Sequence, residues 1–261
     1  MTLRKVSSLN RALLLIDRGS REPEAQEELS QLCTLIKQES KYVYVGHCFL
    51  EVIPPYIEEG INTCISNNVD SITVMPYFLY PGMKLKDSVK KTAKICYDKK
   101  IKVVIAKPLS YHNTLNSLIR DRISFTREKN KIVPADNKCD ILVIGHGSSD
   151  KSARTAFVHT VNKLKPYFRT VTFCFLELDE PRIANGIEKI ISSNPNAMII
   201  VPYFLHKGAH IKNDVVKDIK FALTKYNLKN IPVYITEHFG VDPKLVNMVL
   251  ERAKEAEEKV G

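Results

Sequence analysis

The sequence is notable first for what it lacks. It contains no tryptophan, and no apolar run approaches the ~20 residues that span a bilayer. The apolar stretch near the N-terminus is short and ends at Asp17 without a small-residue cleavage site. We therefore expect no membrane insertion and no secretion, and a cytoplasmic location. The shares of apolar residues (44%) and charged residues (26%) are those of globular proteins and argue against a disordered, collagen-like or coiled-coil chain.

Paired cysteines are also missing. None of the six cysteines lies in a C-x-x-C pair, and several fall inside apolar runs. This pattern argues against a disulfide framework, a zinc ribbon and an iron–sulfur site. It predicts reduced thiols that serve as small core residues.

Motifs for phosphate or nucleic-acid chemistry are incomplete. GHGSSD (145–150) follows an apolar run and could hold a phosphate at a helix N-terminus, but it lacks a P-loop lysine and the G-x-G-x-x-G spacing. Ser148 does not lie in the G-x-S-x-G turn of a nucleophile. A phosphate-binding flavodoxin-like module remains an alternative. The net charge of +10 indicates an anionic partner, but the lysines are scattered, and no nucleic-acid partner is expected.

What the sequence does contain is an internal repeat. TVMPYFLYPGMKLKDSV (73–89) matches IIVPYFLHKGAHIKNDV (199–215), and CFLEVIPP (48–55) matches CFLELDEP (174–181). LLIDRGS (14–20) likewise matches LVIGHGS (142–148). Three blocks in the same order indicate a duplication, and each half has the length of a small α/β domain.

Each half alternates Val- and Ile-rich runs with segments whose apolar residues recur at helical spacing, which predicts parallel strands joined by helices. We predict an α/β fold of two similar flavodoxin-like lobes, each a parallel sheet flanked by helices, facing each other across a central cleft. The predicted boundaries are a lobe at 1–126, a polar linker at 127–138 and a second lobe at 139–261. Helices are predicted near residues 55–66, 85–98, 212–226 and 243–259.

Three polar residues of the second half follow predicted strands and should meet at one sheet edge. They are His146, Glu177 and His210. Two imidazoles and a carboxylate form an open site for a divalent first-row ion and can also accept protons near neutral pH. Taken singly, His146 could line a turn, and Glu177 and His210 could be surface residues. His206 fits a solvated loop better than the cleft, His238 follows a predicted strand and could reach the cleft, and the other histidines receive no role.

The first half departs from this pattern. Arg18 aligns with His146 and Lys84 with His210, whereas Glu51 matches Glu177. Arginine and lysine do not ligate metals at neutral pH, but they hold carboxylates. Either the first lobe helps to bind an anionic ligand, or Arg18 and Lys84 are drifted surface residues.

GHGS after a strand, a later FLE, and PYFL-x-x-G-x-H with Asp four residues beyond the histidine resemble the class II chelatases of the sirohydrochlorin cobaltochelatase and ferrochelatase group. The resemblance covers nearly the whole chain and points to the long, internally duplicated form. It implies ATP-independent insertion of a divalent metal into sirohydrochlorin, a macrocycle with eight carboxylates, and release of two pyrrole protons. It also implies that His146 and His210 bind the metal and act as bases, assisted by Glu177.

DRGS and PGMK replace GHGS and GAH in the first half, so the resemblance places the working site in the second lobe. We expect a cobaltochelatase, with a ferrochelatase or a non-catalytic tetrapyrrole or metal carrier as alternatives. Co²⁺ or Fe²⁺ is then a substrate, no tightly bound cofactor is expected, and a monomer suffices although a dimer is possible. Candidate substrate-binding residues are Ser148, Lys207, Lys212, Arg18 and Lys84.

Overall fold

The computed structural model describes residues 10–132, 138–208, 215–225 and 231–260. Two parallel four-stranded sheets are present, ordered β2-β1-β3-β4 and β6-β5-β7-β8. The strands of the first sheet are β1 (Arg11–Asp17), β2 (Tyr44–Phe49), β3 (Ser71–Pro76) and β4 (Lys102–Ile105). Those of the second are β5 (Asp140–Gly145), β6 (Thr170–Phe175), β7 (Met198–Pro202) and β8 (Val233–Ile235). The repeated strand order confirms the predicted α/β fold with two similar lobes.

Eight helices connect and cover the strands in the described residues. In the first half they are α1 (Pro23–Gln38), α2 (Ile57–Ser66), α3 (Met83–Asp98) and α4 (Thr114–Lys129). In the second half they are α5 (Lys151–Asn162), α6 (Ile183–Ile191), α7 (Val216–Lys225) and α8 (Pro243–Glu257). None of these helices is long and apolar enough to cross a membrane.

Helix α4 is the element that the sequence pattern did not predict. Its buried residues are Leu115, Leu118, Ile119, Ile123 and Thr126, at helical spacing. The helix extends to Lys129, three residues into the segment predicted as a linker. Part of that segment, residues 133–137, lies outside the described residues.

The last helix of each half packs against the sheet of the other half. Helix α4 packs on β7, and α8 packs on β3 and β4. Glu257 anchors α8 to the first lobe: its carboxylate accepts hydrogen bonds from Tyr42 (2.7 Å) and Thr73 (2.5 Å) and pairs with Arg11 (2.8 Å). One cluster of buried side chains consequently includes residues of both lobes, among them Leu13, Leu118, Val143 and Val249. The two lobes therefore share a core and are not two independent domains.

The six cysteines are all free and buried, as predicted. Burial raises the pKa of Cys33 to about 12 and that of Cys96 to about 11, so these thiols stay protonated. They fill core volume.

Candidate active site

His146 and Glu177 meet at the carboxyl edge of the second sheet. His146 directly follows β5, and Glu177 follows the neighbouring strand β6. The distance between His146 Nε2 and Glu177 Oε1 is 3.3 Å, and the side chains are 21% and 43% exposed. Two of the three predicted ligands are thus in contact at a position that solvent can reach.

The backbone around the pair allows only glycine at position 147. Gly147 has a φ of +94°, and a Cβ atom there would lie 1.7 Å from the carbonyl oxygen of Glu177. The carbonyl of His146 also accepts a 2.9 Å hydrogen bond from the Glu177 amide. The turn after β5 and the loop after β6 are therefore locked together, which sets the spacing of the two side chains.

Hydrogen bonding orients the His146 ring. Its Nδ1 lies 3.2 Å from the carbonyl oxygen of Gly147. Because a carbonyl only accepts, Nδ1 carries a proton, and the lone pair of the neutral ring is on Nε2. A lone pair and a carboxylate oxygen 3.3 Å apart repel unless a cation lies between them. The pair is therefore suited to hold a proton or a metal ion, and to exchange one for the other.

The third predicted ligand, His210, and the candidate substrate residue Lys212 lie outside the described residues. Within the residues that the structure does describe, no group of three or more His, Cys, Asp or Glu side chains is placed to hold a metal ion. The ligand set predicted from the sequence is represented here by His146 and Glu177.

The first lobe contains a charged cluster at the equivalent place. Glu51 accepts a 2.9 Å bond from Arg18 Nε on one carboxylate oxygen and a 2.6 Å bond from Lys84 Nζ on the other. The hydrogen bond from Lys84, reinforced by Arg18, lowers the pKa of Glu51. Two permanent cations thus occupy the positions that correspond to the two histidines, and the cluster has a net charge of +1.

The two loop regions approach each other where the lobes meet. Lys86, near the start of α3, pairs with Asp150 at 2.8 Å, and Ser152 donates a 2.8 Å bond to the carbonyl of Pro81. A Cβ atom on Gly82 would lie 3.8 Å from Ser148 Oγ. The loop that follows His146 is therefore in contact with the end of α3 that contains Lys84.

A second ionisable cluster, at the other lobe contact, was not identified from the sequence. Glu28 on α1 lies 2.6 Å from His238 Nε2 and 3.4 Å from His206 Nδ1, and it accepts a 3.2 Å bond from the Lys207 amide. His206 is only 12% exposed, and it also lies 3.9 Å from Asp17. The solvated-loop interpretation of His206 is wrong, because its ring lies against Asp17 and Glu28 of the first lobe. His238 also contacts Glu28.

The repeat contains a signal for this contact. His206 takes the place of Tyr80 in the repeated PYFL motif, and each ring packs on the tyrosine of the other half's motif. His206 lies on Tyr77 and Tyr80 on Tyr203, both with ring centroids 5.7 Å apart. Lys207, a candidate substrate residue, lines a neighbouring cavity of about 510 Å³ together with four glutamates. The acidic side chains of that cavity are Glu24, Glu27, Glu28 and Glu237.

We expect Glu28→Gln to destabilise the protein by about 1–2 kcal/mol at pH 7, because charge-assisted hydrogen bonds become neutral ones. Burial alone would raise the pKa of Glu28, but hydrogen bonds from His206, His238 and the Lys207 amide lower it from 4.5 to about 2. Because the folded-state pKa is depressed, this stabilisation is complete above about pH 5 and is lost as the pH falls towards 2.

Urea unfolding of wild type and Glu28→Gln between pH 7 and pH 3 measures this dependence. The difference in unfolding free energy should be constant down to about pH 5 and then shrink. Glu27→Gln, a neighbouring exposed residue, is the matched control and should leave stability within about 0.5 kcal/mol of wild type. A difference that grows on acidification would contradict the assignment.

These features define a class: a two-lobed α/β protein with an open His–Glu site on one lobe and a cationic cluster at the equivalent place on the other. The chain belongs to the CbiX family, whose model matches residues 12–126 and, a second time, residues 140–256. The double match confirms the duplication inferred from the sequence and the predicted family resemblance.

Individual relatives agree with the family. A sirohydrochlorin cobaltochelatase of Priestia megaterium is 27% identical over 251 residues, which cover 94% of this chain and 79% of that protein. A sirohydrochlorin ferrochelatase of the same organism is 22% identical over 234 residues, with coverages of 88% and 86%. The solved structure of SirB from Bacillus subtilis with Fe³⁺ superposes with a TM-score of 0.79 and 23% identity, covering 97% of this chain and 98% of that one.

Proposed function

We propose that this protein is a sirohydrochlorin chelatase that inserts Co²⁺ into the metal-free macrocycle without ATP. The observation that supports this most directly is the His146–Glu177 pair at the carboxyl edge of the second sheet. The identity of the substrate is inferred from the CbiX family, because relatives of this chain are named as sirohydrochlorin chelatases.

The spacing of the pair suits a first-row metal ion. Two donors that each lie ~2.1 Å from one ion at a tetrahedral angle are ~3.4 Å apart, close to the observed 3.3 Å. A nitrogen and an oxygen donor hold such an ion without enclosing it, as transfer to another ligand requires. His210 is proposed as the third ligand, on the basis of its place in the sequence motif.

The same two side chains can accept the protons that metal insertion releases. One M²⁺ enters the macrocycle, and two pyrrole N–H protons leave, so the charge of the macrocycle does not change. When the ion passes to the ring nitrogens, His146 Nε2 and the Glu177 carboxylate become free to accept these protons. Because the Glu177 side chain is 43% exposed, its carboxylate can pass these protons on to solvent.

The first lobe is proposed to bind the carboxylate rim of the substrate. The Arg18–Glu51–Lys84 cluster has one positive charge in excess, and the loop after His146 contacts the end of α3 that contains Lys84. Ser148, Lys207 and Lys212 remain further candidates for this role. All proposed site residues belong to one chain, so a monomer would suffice.

Cobalt is proposed ahead of iron because the Priestia megaterium cobaltochelatase is 27% identical to this chain, whereas two ferrochelatases that align over most of the chain are 22% and 23% identical. Ferrochelatase activity for siroheme synthesis is the second candidate function. The His–Glu donor pair suits both ions, and the metal that a cell supplies then decides between them.

The test is an absorbance assay of sirohydrochlorin with the purified protein and Co²⁺, Fe²⁺ or Ni²⁺ in parallel, under anaerobic conditions. We expect the spectrum of the metal-free macrocycle to convert fastest, and with turnover, in the presence of Co²⁺. A faster reaction with Fe²⁺ would support the ferrochelatase alternative. Binding of the macrocycle without any spectral conversion would instead indicate a carrier and would refute the catalytic proposal.

A further inference from the structure

Val52 and Leu178 occupy equivalent positions in the two lobes, directly after Glu51 and Glu177. Both are large apolar residues, yet they are 40% and 64% exposed. Both also have positive φ angles, +76° for Val52 and +61° for Leu178. Exposed apolar side chains are common on protein surfaces, but a bulky residue in the left-handed region is an outlier.

The backbone conformation follows from the locked loops described above. A Cβ atom on Gly19 would lie 2.3 Å from the carbonyl oxygen of Glu51. In the second lobe, a Cβ atom on Gly147 would clash in the same way with the carbonyl oxygen of Glu177. The Glu51 carbonyl also accepts a 3.0 Å bond from the Ile53 amide, which makes Val52 the central residue of a γ-turn with positive φ. This type of γ-turn is strained, and β-branched residues fit it poorly.

Glycine or asparagine would occupy these two positions at lower conformational cost. The chain instead retains valine and leucine, whose apolar surface remains in water and which contribute little to the core. Residues held in sparsely populated backbone conformations cluster at active sites and ligand contacts. Each of these two side chains is the immediate neighbour of a glutamate in one of the two charged clusters.

We propose that Val52 and Leu178 are substrate-positioning residues that make apolar contact with the face of the macrocycle. This inference rests on the proposed function, because a flat tetrapyrrole has apolar faces and a carboxylate rim. Leu178 then holds the ring beside His146 and Glu177, and Val52 supports it beside the Arg18–Glu51–Lys84 cluster. Met83, directly before Lys84 in the sequence, is a further exposed apolar residue beside this cluster.

Asparagine and methionine at position 178 separate apolar contact from backbone strain. Leu178→Asn tolerates the positive φ but removes the apolar contact, whereas Leu178→Met keeps the contact and the strain. We expect Leu178→Asn to raise the Kd for metal-free sirohydrochlorin and the KM about tenfold, with kcat changed less than about threefold. Its melting temperature should equal or exceed that of wild type. Leu178→Met should bind within about twofold of wild type, and Val52→Asn should behave like Leu178→Asn.

Two controls make the test specific. Lys100→Gly relieves a positive φ of +55° at the end of α3, away from both clusters, and should change stability but not binding. Tyr97→Ser removes an exposed aromatic ring of α3 and should leave binding unchanged. Wild-type affinity in Leu178→Asn and Val52→Asn would overturn this inference alone. Absence of macrocycle binding by wild type would refute the proposed function, and the present inference with it.

Discussion

His146→Ala is expected to lower kcat/KM for metal insertion into sirohydrochlorin by at least about 100-fold. The substitution removes the Nε2 donor that lies 3.3 Å from Glu177, and with it both a metal ligand and a proton acceptor. Loss of a general base alone typically costs 10²–10⁴-fold in rate. Because the ring is partly exposed and contributes little to the core, the melting temperature should change by only a few degrees.

The matched control is His159→Ala, which removes a histidine of α5 whose ring packs on Tyr111. This variant should retain wild-type kinetics. Initial rates from the absorbance change, measured over a range of Co²⁺ and macrocycle concentrations, give kcat and both KM values. His146→Ala with a rate within threefold of wild type would show that the site assignment is wrong.

Glu257→Ala is expected to destabilise the protein by about 3 kcal/mol. The carboxylate accepts bonds from Tyr42 and Thr73 and pairs with Arg11, so its removal leaves three partly buried polar groups without their acceptor. Because α8 covers the sheet of the first lobe, the loss should weaken both lobes together and not one of them.

Differential scanning calorimetry measures the effect. The melting temperature should fall by roughly 2–4 °C for each kcal/mol, in a single transition for wild type and variant alike. Glu258→Ala, at the next position, removes an exposed residue that faces Lys254 at 3.8 Å and should have little effect. Two separate transitions, of which only one moves, would contradict a shared core.

The fold was largely predictable because the repeat is regular. Val- and Ile-rich strands such as β5 and β7 are buried on both faces, so their sequences are continuous apolar runs that identify parallel strands. Helix α4 was missed because its polar C-terminal turn merges with the polar residues that follow it. The packing of α4 on the sheet of the second lobe depends on partners distant in sequence, which a local pattern does not specify.

Part of the candidate site could be predicted from the sequence and part could not. His146 and Glu177 could be placed together because both follow neighbouring strands of one sheet, and topology alone determines that edge. The Glu28–His206–His238 cluster could not, since its members come from α1, the loop after β7 and the loop after β8, which meet only across the lobe contact. The left-handed conformations of Val52 and Leu178 are likewise set by contact with another loop, and the residue types at those positions argue against them.

Because α4 and α8 each pack on the sheet of the other half, the two halves depend on each other for a complete core. In a single half, part of one sheet face would lack the helix that covers it here, so a half-length protein with this architecture would need a second copy of itself to complete its core. In such a pair every substitution appears twice, and a change at one site changes both. Fusion into one chain removes that symmetry. The two halves can then carry different residues at equivalent positions, as this chain does with Arg18 opposite His146 and Lys84 opposite His210.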